Sequence, residues 1–220
     1  MSYAKPATQT AIHASLSGPR MSTYLQAASG DMKVALDLYG WNARASAALM
    51  LPAHFAEVTV RNAVSEVLTA VYGPDWPWNS TFEGSLPGTS QNRGYSPRRD
   101  LVATRNNEPT TGKVIAELKF VFWQKMFTAR HDERIWEPAI LSLFPHTSLS
   151  TAASLRGRIY GDLEAIRLLR NRIAHHEPIF SRNLGDDLQR VIELVDMRCT
   201  ETSGWVRDIE TASTILQERP

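Results

Sequence analysis

The stretch Arg170-Asn171-Arg172-Ile173-Ala174-His175-His176-Glu177-Pro178 gathers two histidines, two arginines, an asparagine and a glutamate between Arg170 and Glu177. Imidazole can accept and return a proton near neutral pH, and a guanidinium can neutralise a phosphoryl oxygen. These residue types therefore suit proton transfer beside an anion. An apolar stripe at helical spacing (Leu155, Ile159, Leu163, Ile166, Ile173) predicts an amphipathic helix leading into the motif. Arg170 falls on that stripe, where a guanidinium is costly unless it is paired or faces a cleft. Pro178 pushes the residue before it out of the α region, so the helix should end near His176 or Glu177. The histidines would then occupy its last turn. There the negative end of the helix dipole favours imidazolium while Arg170 and Arg172 oppose it. A histidine balanced between those terms would titrate near neutral pH; the competing reading is that His175 and His176 only cap the last carbonyls.

His175, His176 and Glu177 are adjacent, so their side chains diverge around a helix instead of converging as ligands at i and i+4 would. No metal and no cofactor is expected. Cys199 is the sole cysteine, which excludes an internal disulfide and a multi-cysteine zinc site and fits a reducing compartment. By its type it reads as an inert thiol.

The segment Leu169-Arg170-Asn171-Arg172-Ile173-Ala174-His175-His176-Glu177-Pro178-Ile179-Phe180 resembles the signature of the Abi-like (abortive infection) family, a branch of the HEPN superfamily. The superfamily motif is an arginine, usually followed by a polar residue, then a histidine after four to six positions. Arg170, Asn171 and His175 fit it, with His176 as a second register. Upstream, Tyr39-Gly40-Trp41-Asn42 and Glu57-Val58-Thr59-Val60-Arg61-Asn62-Ala63 resemble the family's N-terminal part. The run from Gly112 to Trp123 resembles its central block and Trp205-Val206-Arg207 its C-terminal end, so the likeness covers roughly 22 to 217. It is weakest between about 76 and 110.

The elements that must position the motif read as helices throughout. Residues 1–21 are rich in Ala, Ser, Thr and Pro and read as a disordered segment, with one domain from 22 to 220. Ser22 is expected to cap a short helix through Ala28, and Asp31 to cap the next, bent near Gly40. Ala43 to Tyr72 reads as one helix kinked at Pro52 or two meeting there, apolar nearly all round in its second half and so central. His54, Glu57, Arg61 and Ser65 share one line on it. Glu57 and Arg61, four apart, are expected to pair, buried or lining a cleft that faces the Arg170 helix. Gly73 ends the helix, and Trp76-Pro77-Trp78 opens an irregular stretch. Ser96-Pro97 signals a new helix start.

Arg93, Arg98, Arg99 and Arg105 form the clearest local basic cluster, with Tyr95 and Trp78 as stacking surfaces for bases; a solvated basic face is the alternative. Lys113 to Thr128 reads as one helix whose aromatics serve the core. Ile135, Ile140 and Leu143 suggest a short helix ended by Pro145, and Asp187 to Arg198 and Ser203 to Gln217 two closing helices. No period-two alternation suggests a sheet. The fold expectation is all-α, a helical bundle, and the resemblance implies a HEPN-like bundle with additional helices.

Formal net charge is +1, so binding of nucleic acid must come from a local patch and not from the whole molecule's field. The apolar fraction of 43% and charged fraction of 21% are ordinary for a globular protein. No apolar run is long enough to span a membrane, and a cytoplasmic location without membrane partners is expected.

What the resemblance implies is metal-independent RNA cleavage by an endoribonuclease of abortive-infection, toxin-type phage defence. A ribose 2′-OH attacks the adjacent phosphorus, leaving a 2′,3′-cyclic phosphate and a free 5′-OH. His175 would be the acid or base, Arg170 the phosphate clamp, and Asn171 the group that orients the histidine or touches the phosphate. His176 ranks second for proton transfer, Arg172, Arg98, Arg99 and Arg105 would contact RNA, and Glu57 and Arg61 would support the motif helix. The resemblance also implies a homodimer through the motif helix, and leaves room for a neutralising antitoxin, protein or RNA. Positions five apart on a helix are turned by roughly 140°, so one chain's Arg170 and His175 do not share a face. The competing function is a non-catalytic HEPN dimer that binds RNA or protein in a regulatory role.

Overall fold

The structure, a computed structural model, describes residues 5–88 and 94–220. Among the described residues it is all-helical: twelve α-helices with short 3-10 and π turns between them and no strand. No helix is long and apolar enough to cross a membrane among the described residues.

The organising element is α3, Met32–Tyr72, 41 residues long. Asp31 caps it as its sequence demands, its carboxylate accepting from Val34 N at 3.0 Å. The helix runs without a break past Gly40 and through Pro52, where a bend or division was expected. Proline removes one backbone hydrogen bond, at a cost of roughly 3 kcal/mol. Pro52 is itself buried, and burial along the whole length of α3 offsets that cost. Gly73, at φ 90°, takes the positive-φ position that ends it.

Two apolar clusters form along α3. The first takes Ala53 to Leu68 together with Trp76, Phe82, Phe122, Trp123, Trp136 and the Leu155, Ile159, Leu163, Ile166 stripe of α9 (Ala152–Ala174). The second takes Ala35 to Leu49 together with Met21, Tyr24, Leu169, Ile179 and Phe180. Both α3 and α9 feed both clusters, so the C-terminal end of α9 is anchored at the second.

Several boundaries depart from the sequence reading. Residues 6–27, expected to be disordered through 21, form α1 (Pro6–Leu16) and α2 (Gly18–Ala27). α1 has no buried residue, but α2 buries Met21 and Tyr24 under α3. Ser22 is not the cap; its hydroxyl donates back to Pro19 O inside α2. The irregular stretch holds a 3-10 turn, Trp76–Trp78, and α4, Ser80–Ser85. α5, Pro97–Asn107, starts as read, with Ser96 accepting from Arg99 N.

The single helix expected over 113–128 is two, α6 (Thr111–Glu117) and α7 (Phe120–Met126), because Leu118 is extended at ψ 134°. The apolar stripe gave no sign of this, since Val114, Leu118 and Phe122 are all buried whether or not the helix is continuous. A π turn, Asp132–Trp136, precedes α8, Glu137–Leu143. After α10, Leu184–Arg198, the last expected helix is also split, into α11 (Thr200–Ile209) and α12 (Ala212–Gln217).

Candidate functional site

The motif lies at the C-terminal end of α9, whose N-cap is Thr151. Its closing turn is a Schellman motif: Glu177 N donates to Arg172 O at 2.8 Å and His176 N to Ile173 O at 3.0 Å. This arrangement requires a left-handed residue one past the cap, usually glycine. Here it is His176, at φ 55°. Its carbonyl accepts from Arg20 Nη1 of α2. An imidazole-bearing residue thus holds a backbone position that side chains disfavour, and a guanidinium fixes it there.

Beyond the turn, Asn42 of α3 takes the chain's next two amides. Its Oδ1 accepts from Ile179 N at 2.8 Å and Phe180 N at 3.2 Å, and the residue is 6% exposed. Ile179 and Phe180 are buried. The motif's exit is therefore pinned to α3 by a polar residue lying among Leu38, Trp41 and Ala45 on the buried face. Asn42 carries no chemistry-bearing spacing, and the signal that could have found it is a polar side chain in an apolar register.

Arg170 answers the cost of its place on the stripe by pairing. Its Nη2 lies 2.8 Å from Glu57 Oε2 on α3, and its guanidinium carbon 4.8 Å from the centre of the Phe120 ring on α7. Its Nε is buried without a partner among the described residues. Glu57 therefore bonds across to α9, not along its own helix to Arg61. Arg61, one turn further on α3, keeps a buried Nε with no partner among the described residues. Phe120, read as core, is only partly buried and serves as the aromatic floor of Arg170.

Asn171, His175 and His176 are exposed. Asn171 and His175 are four apart and lie on one side of the helix, whereas Arg170 turns to Glu57 and Phe120. Arg172 Nε is 3.5 Å from Glu177 Oε2 at the surface. The structure brings Arg170 to Glu57, and His175 N donates to Asn171 O at 3.0 Å in the last turn of the helix. Among the described residues no hydrogen bond or cation–π contact joins Arg170 to His175; the partners of Arg170 are Glu57 and Phe120. Among the described residues no three His, Cys, Asp or Glu side chains converge in a way that could hold a metal ion.

The basic cluster is put to a different use. Arg98 Nη2 donates to Gly84 O at 2.8 Å and Leu86 O at 2.6 Å. Arg105 donates to Pro77 O at 2.8 Å and pairs with Glu83 at 2.6 Å. Both guanidiniums satisfy carbonyls of the 76–88 stretch, which supplies few backbone bonds of its own. Arg99 is the exposed member, and Arg93 lies outside the described residues. Trp78 is exposed, but Tyr95 donates its hydroxyl to the buried Asp100 at 2.7 Å. Of the two expected stacking surfaces, Trp78 is the open one.

No family model, no curated protein and no solved structure matches this chain.

Proposed function

We propose that the chain is a metal-independent endoribonuclease of the HEPN type, acting as a toxin in abortive infection. The observation that carries the reading is the Glu57–Arg170 pair under the end of α9, beside exposed His175 and His176. Glu57 and Phe120 hold one side of the guanidinium, and the side chain, 27% exposed, still opens N–H groups to the surface. A phosphate oxygen is the acceptor such a group fits best. In the proposed reaction His175 takes the proton of the ribose 2′-OH as its oxygen attacks phosphorus. The P–O5′ bond breaks, and a second imidazole returns a proton to the leaving 5′ oxygen. Arg170 neutralises the phosphorane, Asn171 orients His175 from the preceding turn, and Arg172 touches the strand.

One chain's Arg170 and His175 face different ways, so the reading includes a homodimer in which α9 of a second copy completes the constellation. The same fact favours the second reading, a HEPN-like module that binds RNA or a protein without cutting it. Labelled RNA incubated in EDTA with the wild-type chain and with His175→Ala separates the two. Cleavage by wild type alone, with 2′,3′-cyclic phosphate ends, supports the nuclease. Binding without cleavage across varied RNAs, with and without divalent cations, moves the module ahead.

A further inference from the structure

Beside the motif, between α2, α3 and the end of α9, lies a cavity of about 310 Å3 bounded by Tyr24, Tyr39, Asn42, Ser46, Ile173 and His176. That is within the lower range of volumes that hold small-molecule groups. No carboxylate, ammonium or guanidinium lines it, so it suits a neutral ligand.

Asn42 determines what that ligand must present. Its Oδ1 already accepts from Ile179 N and Phe180 N. Two backbone donors on one oxygen fix the amide's orientation, because a flipped amide would set its NH2 against both. The group left to Asn42 is therefore an NH2 that can only donate, on a residue 6% exposed that lines the cavity. No acceptor among the described residues meets it. That NH2 is not sealed from solvent at the cavity wall, so an acceptor on a ligand would take the place of water there.

The flanking surface is aromatic. Tyr39 packs on Tyr24 with ring centres 4.9 Å apart, and Tyr24 on Phe180 at 5.2 Å. Part-buried Tyr39 is thus a supported ring at the cavity wall, the kind of face on which bases stack. Burial, with a smaller contribution from Tyr39, pushes the Tyr24 phenol up to about 12, Arg20 opposing, so the wall stays neutral.

We propose that this cavity is a nucleobase subsite that takes the base beside the scissile phosphate and reads a keto edge through the Asn42 amide. The proposal rests on the RNA-cleaving reading of the motif, to which His176 joins it. Uracil and guanine carry a keto oxygen where cytosine and adenine carry an amino group on the same edge. A donor-only amide rewards the first pair and leaves the second facing donor to donor.

The test has two arms. In the first, uridine and adenosine 3′-monophosphates are titrated by calorimetry into the full chain, into Ser46→Met, which fills the cavity without touching the Asn42 bonds, and into Ala47→Leu at its rim. Uridine phosphate is expected to bind roughly tenfold more tightly than adenosine phosphate to wild type, with the difference gone in both variants. In the second, RNAs differing at one nucleotide are cut and their ends mapped. Cleavage without base preference, or equal binding of the two nucleotides, overturns the subsite while leaving the nuclease standing. Selective binding with no cleavage of any RNA supports the subsite and removes the nuclease. Ala47→Leu keeps the test decisive if Ser46→Met does not fold.

Discussion

Glu57 on α3 and Arg170 on α9 meet at 2.8 Å, tying the two longest helices of the described chain together beneath the exposed histidines. Side-chain exposures of 19% and 27% put the pair between a surface ion pair and a buried one. A charge left there without its partner costs more than the pair contributes, because water reaches it only in part. The pair is therefore read better as a positioning device than as a source of stability.

That reading gives a prediction for Glu57→Gln. The amide keeps an acceptor for Arg170 but not the charge, so stability should fall by about 1–2 kcal/mol in urea unfolding. RNA cleavage should fall much further than that loss explains, because the guanidinium is no longer held in place. A double-mutant cycle with Arg170→Ala should show a coupling of about 0.5–3 kcal/mol. Additive effects would mean that the contact positions nothing.

His176 tests whether the left-handed turn is tolerated for the sake of its side chain. Glycine accepts φ 55° without a Cβ clash, so His176→Gly should be neutral or stabilise the chain. His176→Val should destabilise it by about 1–2 kcal/mol, since β-branched residues adopt that region at the greatest cost. If His176→Gly is as stable as wild type yet cleaves RNA poorly, the imidazole is there for chemistry. Unchanged cleavage would leave it only a structural place.

How much of this could be read from the chain depends on distance along it. The stripe Leu155, Ile159, Leu163 and Ile166 is buried as its spacing requires, and the caps at Asp31 and Ser96 form as local rules predict. These are contacts within one or two turns. The partner of Glu57 was not legible, because Arg61 offers a partner one turn away while Arg170 reaches Glu57 only after α3 and α9 have packed. The same holds for Asn42, whose two acceptor bonds go to residues 137 and 138 positions away. Arg98 and Arg105 read as a basic face, and the carbonyls that occupy them belong to a stretch whose path no periodicity specifies.

Asn42→Ala should be the most damaging single change near the motif. It leaves Ile179 N and Phe180 N buried without an acceptor, a loss of about 2–4 kcal/mol. Hydrogen exchange at those two amides should quicken more than in the Leu155 to Ile166 part of α9. Uniform quickening along α9 would show instead that the whole helix depends on Asn42.

His131 gives a prediction far from the motif. It is 3% exposed on the turn before Asp132–Trp136, and burial first, then the charge of Arg130, lower its pKa from 6.5 to about 4. The folded chain thus keeps this imidazole neutral where the unfolded chain protonates it. Below about pH 6.5 the unfolded state binds the extra proton, so stability falls as pH drops towards 4 and the loss levels off below that. Between about pH 7.5 and 5 the loss should approach 2 kcal/mol in urea unfolding. Glu164, whose carboxyl is held low chiefly by Arg167, loses its contribution only at more acid pH, so it does not enter this window. His131→Gln removes the titrating group and should flatten the profile over that range. Parallel profiles for wild type and variant would place the acid sensitivity elsewhere in the chain.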